Sequence, residues 1–322
     1  MARKTIIVAV VLLFVIGGFY YFILLAPRGN AEAERFIVPL EATRSQTIQN
    51  LSDGGFIKSP FGFNIALLFH GRTSAIIPGG YKISKSQNVF QIADILAGGP
   101  YMKWVVIPEG LRKEQIADTI TPILNWNNQT KNEFLNAYSS LGTDYKEGVY
   151  FPDTYLLPKD ETGGQIAQRF IKRFQEKFAP YYPQFTKQNI RWVTAIKIAS
   201  LAQREAAGES NMPLIAGIVW NRLLQNMKLD IDATIQYARG DKGNGYWAPL
   251  TSDDKKIDSP YNTYLYKGLP PTPIANPGLA AILAALNPAK TKCLYYLHDK
   301  DGLIHCAVAY AEHKMNIDKY LK

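Results

Sequence analysis

Cysteine and histidine are both scarce here, at 2 and 4 of 322 residues. His70, His298, His305 and His313 show no ligand spacing and no HExxH arrangement, so structural roles suit them better than a zinc centre. No G-x-S-x-G element is present, which removes the usual nucleophile-elbow hydrolase. "GDKGNGYW" is rich in glycine but lacks the strand-to-helix setting of a phosphate loop, and reads as a turn. No nucleic-acid-binding module is recognisable either.

Acidic residues are outnumbered, 27 against 36 Lys and Arg, for a net charge of +9. A cationic chain favours an anionic neighbour. For an exported protein that neighbour is a membrane surface or an acidic envelope polymer, not nucleic acid.

Export is implied by one long apolar run. "IIVAVVLLFVIGGFYYFILLA", residues 6 to 26, carries no charge and has about the length that spans a bilayer as a helix. Arg3 and Lys4 precede it while signs are mixed after it, so residues 1–27 are expected to be a cytoplasmic tip and transmembrane helix, with the rest outside. A cleaved signal peptide is the alternative, since "AEA" at 31 to 33 resembles a cleavage site. The apolar run exceeds the ~7–15 residues of a signal core, which favours an uncleaved anchor. In an oxidising compartment Cys293 and Cys306, on two expected strands around "HDKDG", leave two readings open: a cross-strand disulfide or two isolated buried thiols.

After a polar linker at 27–35, three segments share a rhythm: "FIVPLEATRSQTIQNLSDGG", "GYKISKSQNVFQIADILAGG" and "KWVVIPEGLRKEQIADTI". Each has a β-rich start, a polar turn, then apolar residues at helical spacing: Ile48 and Leu51, Ile92 and Ile95, Ile116 and Ile120. They predict a small α+β domain over 36–122. The remainder, 123–322, reads as mainly helical with a small sheet. It contains an extended loop at "KEGVYFPDTYLLPKD", two helices over 190–225 separated at Gly208 with Asn211 as a cap, a helix near 278–286, a hairpin over 293–310 and a terminal amphipathic helix.

Within "IASLAQREAAGES", Ile198, Leu201 and Ala202 fall at i, i+3 and i+4, and i+7 is Glu205. A carboxyl on an apolar stripe loses hydration of its charged form, retains its proton to higher pH, and suits a general acid. A structural ion pair places a carboxylate there equally well. Glu209 lies a turn further on, where Gly208 is expected to end the helix. "SPYNTYLYKGLPPTPIANPG" presents Tyr261, Asn262, Thr263 and Tyr264, a mixture of flat apolar faces and hydrogen-bonding groups that suits sugar rings and equally suits a loop packed on a core.

At these residues the chain resembles the endolytic murein transglycosylase (YceG-like) family. The resemblance rests on "VIPEGLRKEQIA", "EGVYFPDTY", "IASLAQREA", "IAGIVWNRL", "LDIDATIQYARG", "DSPYNTYLYKGLPPTPIANPG" and "YAEH", in that order along the chain. It implies an α+β protein: a transmembrane helix, a LysM-like domain, then a lysozyme-like catalytic domain. The implied activity is lytic cleavage of the MurNAc-β-1,4-GlcNAc bond within nascent peptidoglycan strands, leaving 1,6-anhydro-MurNAc ends. Glu205 aligns with the family's catalytic glutamate, acting as acid and then base. Gln203 replaces the first Glu of the usual Ala-Ser-x-x-Glu-x-Glu run, and "HCAVAYAEH" departs from many relatives after His305.

Glu147, Asp153 and Tyr155, with Tyr261, Asn262, Thr263 and Tyr264, are then the candidate substrate-binding residues. The resemblance implies no metal and no organic cofactor. Its implied partners are glycan strands, the membrane and cell-wall synthases. Two rivals stand beside it: a hydrolytic muramidase in which Glu209 or Asp232 activates water, and a non-catalytic glycan-binding scaffold.

Overall fold

The computed structural model describes residues 2–69, 76–137 and 147–321, so His70 lies outside the described residues. Contacts divide the chain into two units interleaved in sequence: Met1–Val105, Ile123–Asn125 and Thr154–Asp160 in the first, Val106–Pro122, Trp126–Asp153 and Glu161–Lys322 in the second.

The first unit begins with α1 (Ala2–Phe19), followed by a π-helical turn at Tyr20–Leu24. The expectation of a single spanning helix is corrected here: no helix among the described residues is long and apolar enough to cross a membrane. The 6–26 apolar run is divided among the α-helix, the π turn and the two residues after it, and the change to π follows Phe19, one residue beyond Gly17 and Gly18, residues that weaken a regular helix.

Then come β1 (Ala33–Val38), α2 (Arg44–Asp53), α3 (Pro60–Phe69), β2 (Gly79–Ser84), α4 (Val89–Gly98), β3 (Met102–Val106) and, from further along the chain, β4 (Thr154–Pro158). The sheet order is β1-β2-β3-β4, with β1 and β2, and β2 and β3, antiparallel. Helix starts follow from side-chain caps: Thr43 with Gln46, and Asn88 with Gln91, form reciprocal capping boxes. Ile48, Leu51, Ile83, Ile92 and Leu96 fill the core beneath the strands. Gly79, at φ 152°, allows close approach: a Cβ there would lie 2.5 Å from Pro100 Cβ.

Two sequence expectations change. "TYLLP" is not loop but the edge strand β4, where prolines at its margins remove no interior ladder bond. Because β4 joins the small sheet, and Val106–Pro122 joins the second unit, the units interleave and do not meet at residue 122.

The second unit contains α5 (Lys113–Leu124), α6 (Asn128–Leu135), α7 (Gly163–Phe178), α8 (Tyr182–Lys187), α9 (Trp192–Glu205), α10 (Met212–Leu224), α11 (Asp232–Arg239), α12 (Leu279–Leu286), the hairpin β5 (Tyr295–His298) and β6 (Ile304–Ala307), and α13 (Tyr310–Tyr320). An aromatic cluster of Trp126, Phe134, Tyr150 and Phe170 joins α6 to α7. Helices α9, α10 and α12 pack together. Helix α9 ends at Glu205 because Ala206 turns extended, at ψ 136°, before Gly208 is reached. Asn211 caps nothing with its side chain; its Nδ2 donates to Gly302 O instead. Cys293 and Cys306 form a disulfide across β5 and β6, resolving the two open readings.

Candidate active site

Burial of α9 determines where its acid lies. Ile198, Ala199, Leu201 and Ala202 are fully buried, and the same face ends on half-buried Glu205 at the helix C-terminus. Ser200 is also buried, with Oγ donating to Lys197 O and accepting from Ile274 N–H, so its hydroxyl is used structurally.

Glu205 opens into a pocket of about 360 Å³ lined by Arg222, Leu229, Asp230, Asp232, Tyr264, Tyr295, Tyr296, Tyr310 and His313. The Tyr296 hydroxyl donates to Glu205 Oε2 at 2.7 Å, and the Ala233 N–H in the first turn of α11 donates to the same carboxyl. Burial is the largest influence and pushes the Glu205 carboxyl above its ordinary pKa; the Tyr296 hydrogen bond opposes it, and the Asp232 charge reinforces it. The site therefore holds a carboxyl biased toward its acid form beside a donor that stabilises its anion, the two states that a proton-shuttling group alternates between.

Asp232 accepts from the Tyr264 hydroxyl at 2.7 Å, with Lys255 Nζ 3.6 Å away. Burial and the Asp232 carboxylate push the Tyr264 phenol up, and burial pushes Tyr296 well up, so both remain protonated donors. The His313 ring stacks on Tyr295 with centroids 5.4 Å apart, and its buried Nδ1 has no partner among the described residues. Burial and nearby Arg222 lower its pKa, favouring neutral imidazole.

The other sequence candidates divide sharply. Tyr264 lines the pocket. Asn262 and Thr263 are buried beneath it: Asn262 Nδ2 donates to Lys255 O and Ile257 O, while Thr263 Oγ1 accepts from Ile231 N–H, fixing the loop and not facing a ligand. Tyr261 bonds Thr272 at 2.8 Å, its ring against Tyr237. Glu147 is 2% exposed, outside the pocket lining, and accepts from Lys113 N–H and Asn276 Nδ2. Asp153 is paired with Arg173 at 2.6 Å, and Tyr155 belongs to strand β4 of the first unit. Glu209 is exposed in a separate groove with Pro213 and Leu283.

Sequence reasoning missed Arg222, Asp230, Tyr295, Tyr296 and the role of α13. The quoted "YAEH" contains Tyr310 and His313, a signal of position without role. His305 pairs with Asp299 at 2.7 Å and stacks on Tyr320, outside the pocket. Gln203 faces another way: its Oε1 accepts from Gly278 N–H, and it hydrogen-bonds Glu109. Among the described residues, no group of three or more His, Cys, Asp or Glu is arranged to hold a metal ion.

Comparison with known proteins relates the chain to a family. The family model described as the YceG-like family matches residues 36–319. A Bacillus subtilis protein named endolytic murein transglycosylase is 29% identical over 306 residues, covering 88% of this chain and 84% of that protein. A Streptococcus pneumoniae protein of the same name is 27% identical over 305 residues; the match covers 84% of this chain and 55% of that protein, so this chain spans just over half its length. A solved structure of a YceG-like protein from Listeria monocytogenes is similar at a TM-score of 0.62 and 28% identity, covering 88% of this chain and 98% of that one.

Proposed function

The chain belongs to the YceG-like family, and from that membership we propose that it is an endolytic lytic transglycosylase of peptidoglycan, with Glu205 as its single acid and base. The observation that carries this reading is the acid-biased Glu205 carboxyl at the mouth of a polar, tyrosine-lined pocket. Relatives named endolytic murein transglycosylase support the substrate.

In this reaction protonated Glu205 donates to the oxygen linking MurNAc C1 to GlcNAc, and the C1–O bond breaks as positive charge builds on the sugar. The resulting carboxylate, steadied by Tyr296 and the Ala233 N–H, takes the proton from the MurNAc C6 hydroxyl. That oxygen then bonds to C1, closing the 1,6-anhydro ring. No water is consumed, and Glu205 ends as it began.

A hydrolytic muramidase is the second reading, favoured by one observation: Asp232 lies in the same pocket and within electrostatic reach of Glu205. Glu209 is the poorer base, being exposed in another groove. Mass spectrometry of digested, uncrosslinked glycan separates the two. Anhydro-MurNAc ends support the lyase; reducing ends, one water heavier, would overturn it. Cleavage by wild type that vanishes in Glu205→Gln excludes the silent scaffold, and equal cleavage by both would remove Glu205 from the mechanism.

The first unit is read as LysM-like from its strand-helix-helix-strand start, β1 to β2, and the second as lysozyme-like from the acid at the end of a buried helix. The exposed apolar side chains from Ile6 to Val15 support attachment to the membrane, with the catalytic unit on the outer face near cell-wall synthases. Membrane fractionation tests this; recovery of the full chain in the soluble fraction would defeat it.

A further inference from the structure

Arg222 is 8% exposed, yet it lines the Glu205 pocket. Its Nε donates to Leu294 O, and its Nη1 donates to Lys228 O, Leu229 O and Asp230 Oδ2. Nη2 has no partner among the described residues. A guanidinium held so firmly on one edge, with its remaining amino group unused in a pocket wall, is set to donate to something that enters.

Asp230 stands beside it. Its backbone is left-handed at φ 50°, which costs energy for any residue but glycine and marks positions held by their surroundings. The conformation is secured by Asp230 N–H to Thr263 O and by the Arg222 pair at 3.2 Å. The carboxylate side chain is 42% exposed, and Oδ1 has no partner among the described residues. The pocket wall thus offers one donor and one acceptor side by side. Leu229 and the Tyr295 ring, which lies 5.1 Å from the Arg222 guanidinium carbon, supply apolar surface around them.

A secondary amide matches that pattern: a carbonyl oxygen for the donor, an N–H for the acceptor and a small apolar group for the wall. An anion does not. The Arg222 charge is already paired with Asp230, and Asp232 and Glu205 add further acidic groups to the same pocket. We propose that Arg222 and Asp230 form an acetamido-binding element, Nη2 donating to the carbonyl oxygen and Oδ1 accepting from the N–H of an N-acetylated sugar seated beside Glu205. This deepens the amino-sugar reading of the pocket and rests on it.

The test uses the full chain carrying Glu205→Gln, so that binding is read without turnover. The probes are β-1,4-linked N-acetylglucosamine oligomers and cello-oligomers of equal length, both neutral and differing at C2 in acetamido against hydroxyl. Calorimetric titration is expected to give at least about tenfold tighter binding of the acetylated oligomer, the usual yield of a charge-assisted hydrogen bond. Adding Asp230→Asn, which keeps a residue tolerant of the left-handed backbone but turns an acceptor toward donation, should reduce the preference to about twofold or less.

Equal affinity for the two oligomers, or binding of neither, overturns the proposal. So does a folded Asp230→Asn protein that keeps the full preference. If that variant fails to fold, the oligomer comparison decides alone. Anhydro products from a wild-type enzyme without acetamido preference would sink this proposal and leave the activity standing. Preference without any cleavage by wild type would do the reverse.

Discussion

The Tyr296 hydroxyl on strand β5 lies 2.7 Å from Oε2 of Glu205 on helix α9, 91 residues away along the chain. A phenol pushed well above its usual range by burial and a carboxyl raised by burial are thereby coupled, with Tyr296 the permanent donor.

Removing that donor moves the acid in a defined direction. Tyr296→Phe deletes the bond that favours ionised Glu205, so the Glu205 pKa rises further and the alkaline limb of the kcat/KM profile moves up. The carboxylate half of the cycle loses support, and kcat is expected to fall about tenfold or more. An alkaline limb that stays in place in the variant would separate Tyr296 from the titrating group.

Asp232→Asn acts in the opposite sense. The Asp232 charge raises the Glu205 pKa, so its removal lowers the alkaline limb. On the proposed mechanism anhydro ends are the expected product of this variant too, since there the C6 hydroxyl and not Asp232 supplies the nucleophile's function. Abolished cleavage in a folded Asp232→Asn protein would instead point to Asp232 as a base.

Buried Glu147 predicts a pH dependence of stability. Burial first, then the Glu114 charge, pushes its carboxyl up to about 8. An unfolded Glu titrates near ~4.3, so the fold holds an extra proton between those values. Its stabilising contribution is complete below ~4.3 and is lost as pH rises through about 8, with a slope of at most about 1.4 kcal/mol per pH unit. Glu147→Gln keeps an acceptor for Lys113 N–H and Asn276 Nδ2 and removes the titration. Thermal unfolding across this range should decline less steeply with pH in the variant than in wild type; parallel curves would contradict the assignment.

The Cys293–Cys306 bridge closes a segment that contains Tyr295 and Tyr296, and Cys306 is the register partner of Tyr296. Reduction, or Cys293→Ser with Cys306→Ser, is expected to cost about 2–4 kcal/mol of stability. Activity should fall as well, because the hairpin that presents Tyr296 loses its clamp. Unchanged melting and turnover in reductant would show that β5 and β6 need no tie.

Much of the framework was legible because local rules act over a few residues. Thr43 with Gln46 and Asn88 with Gln91 announce helix starts, and the stripe of Ile198, Leu201 and Ala202 leads to Glu205. Legibility failed where a segment's partner was remote. "TYLLP" looked like loop because its prolines were visible and its neighbour β3 was not. Asn262 and Thr263 looked like ligand-facing groups, but their hydrogen bonds go inward to Lys255, Ile257 and Ile231.

By itself, then, the sequence determined the strand and helix periodicities, the apolar N-terminal run and which of two nearby acids stands on a buried helical face. These depend on spacing and on solvation of single side chains. Only the tertiary structure decided that Glu147 is enclosed while Glu205 opens to a pocket, that Cys293 meets Cys306, and that Tyr296, Arg222 and Asp230 converge on one cavity. The physical reason is that burial, hydrogen-bond partnership and the resulting pKa belong to an environment assembled from distant segments, and no local pattern encodes which segments those are.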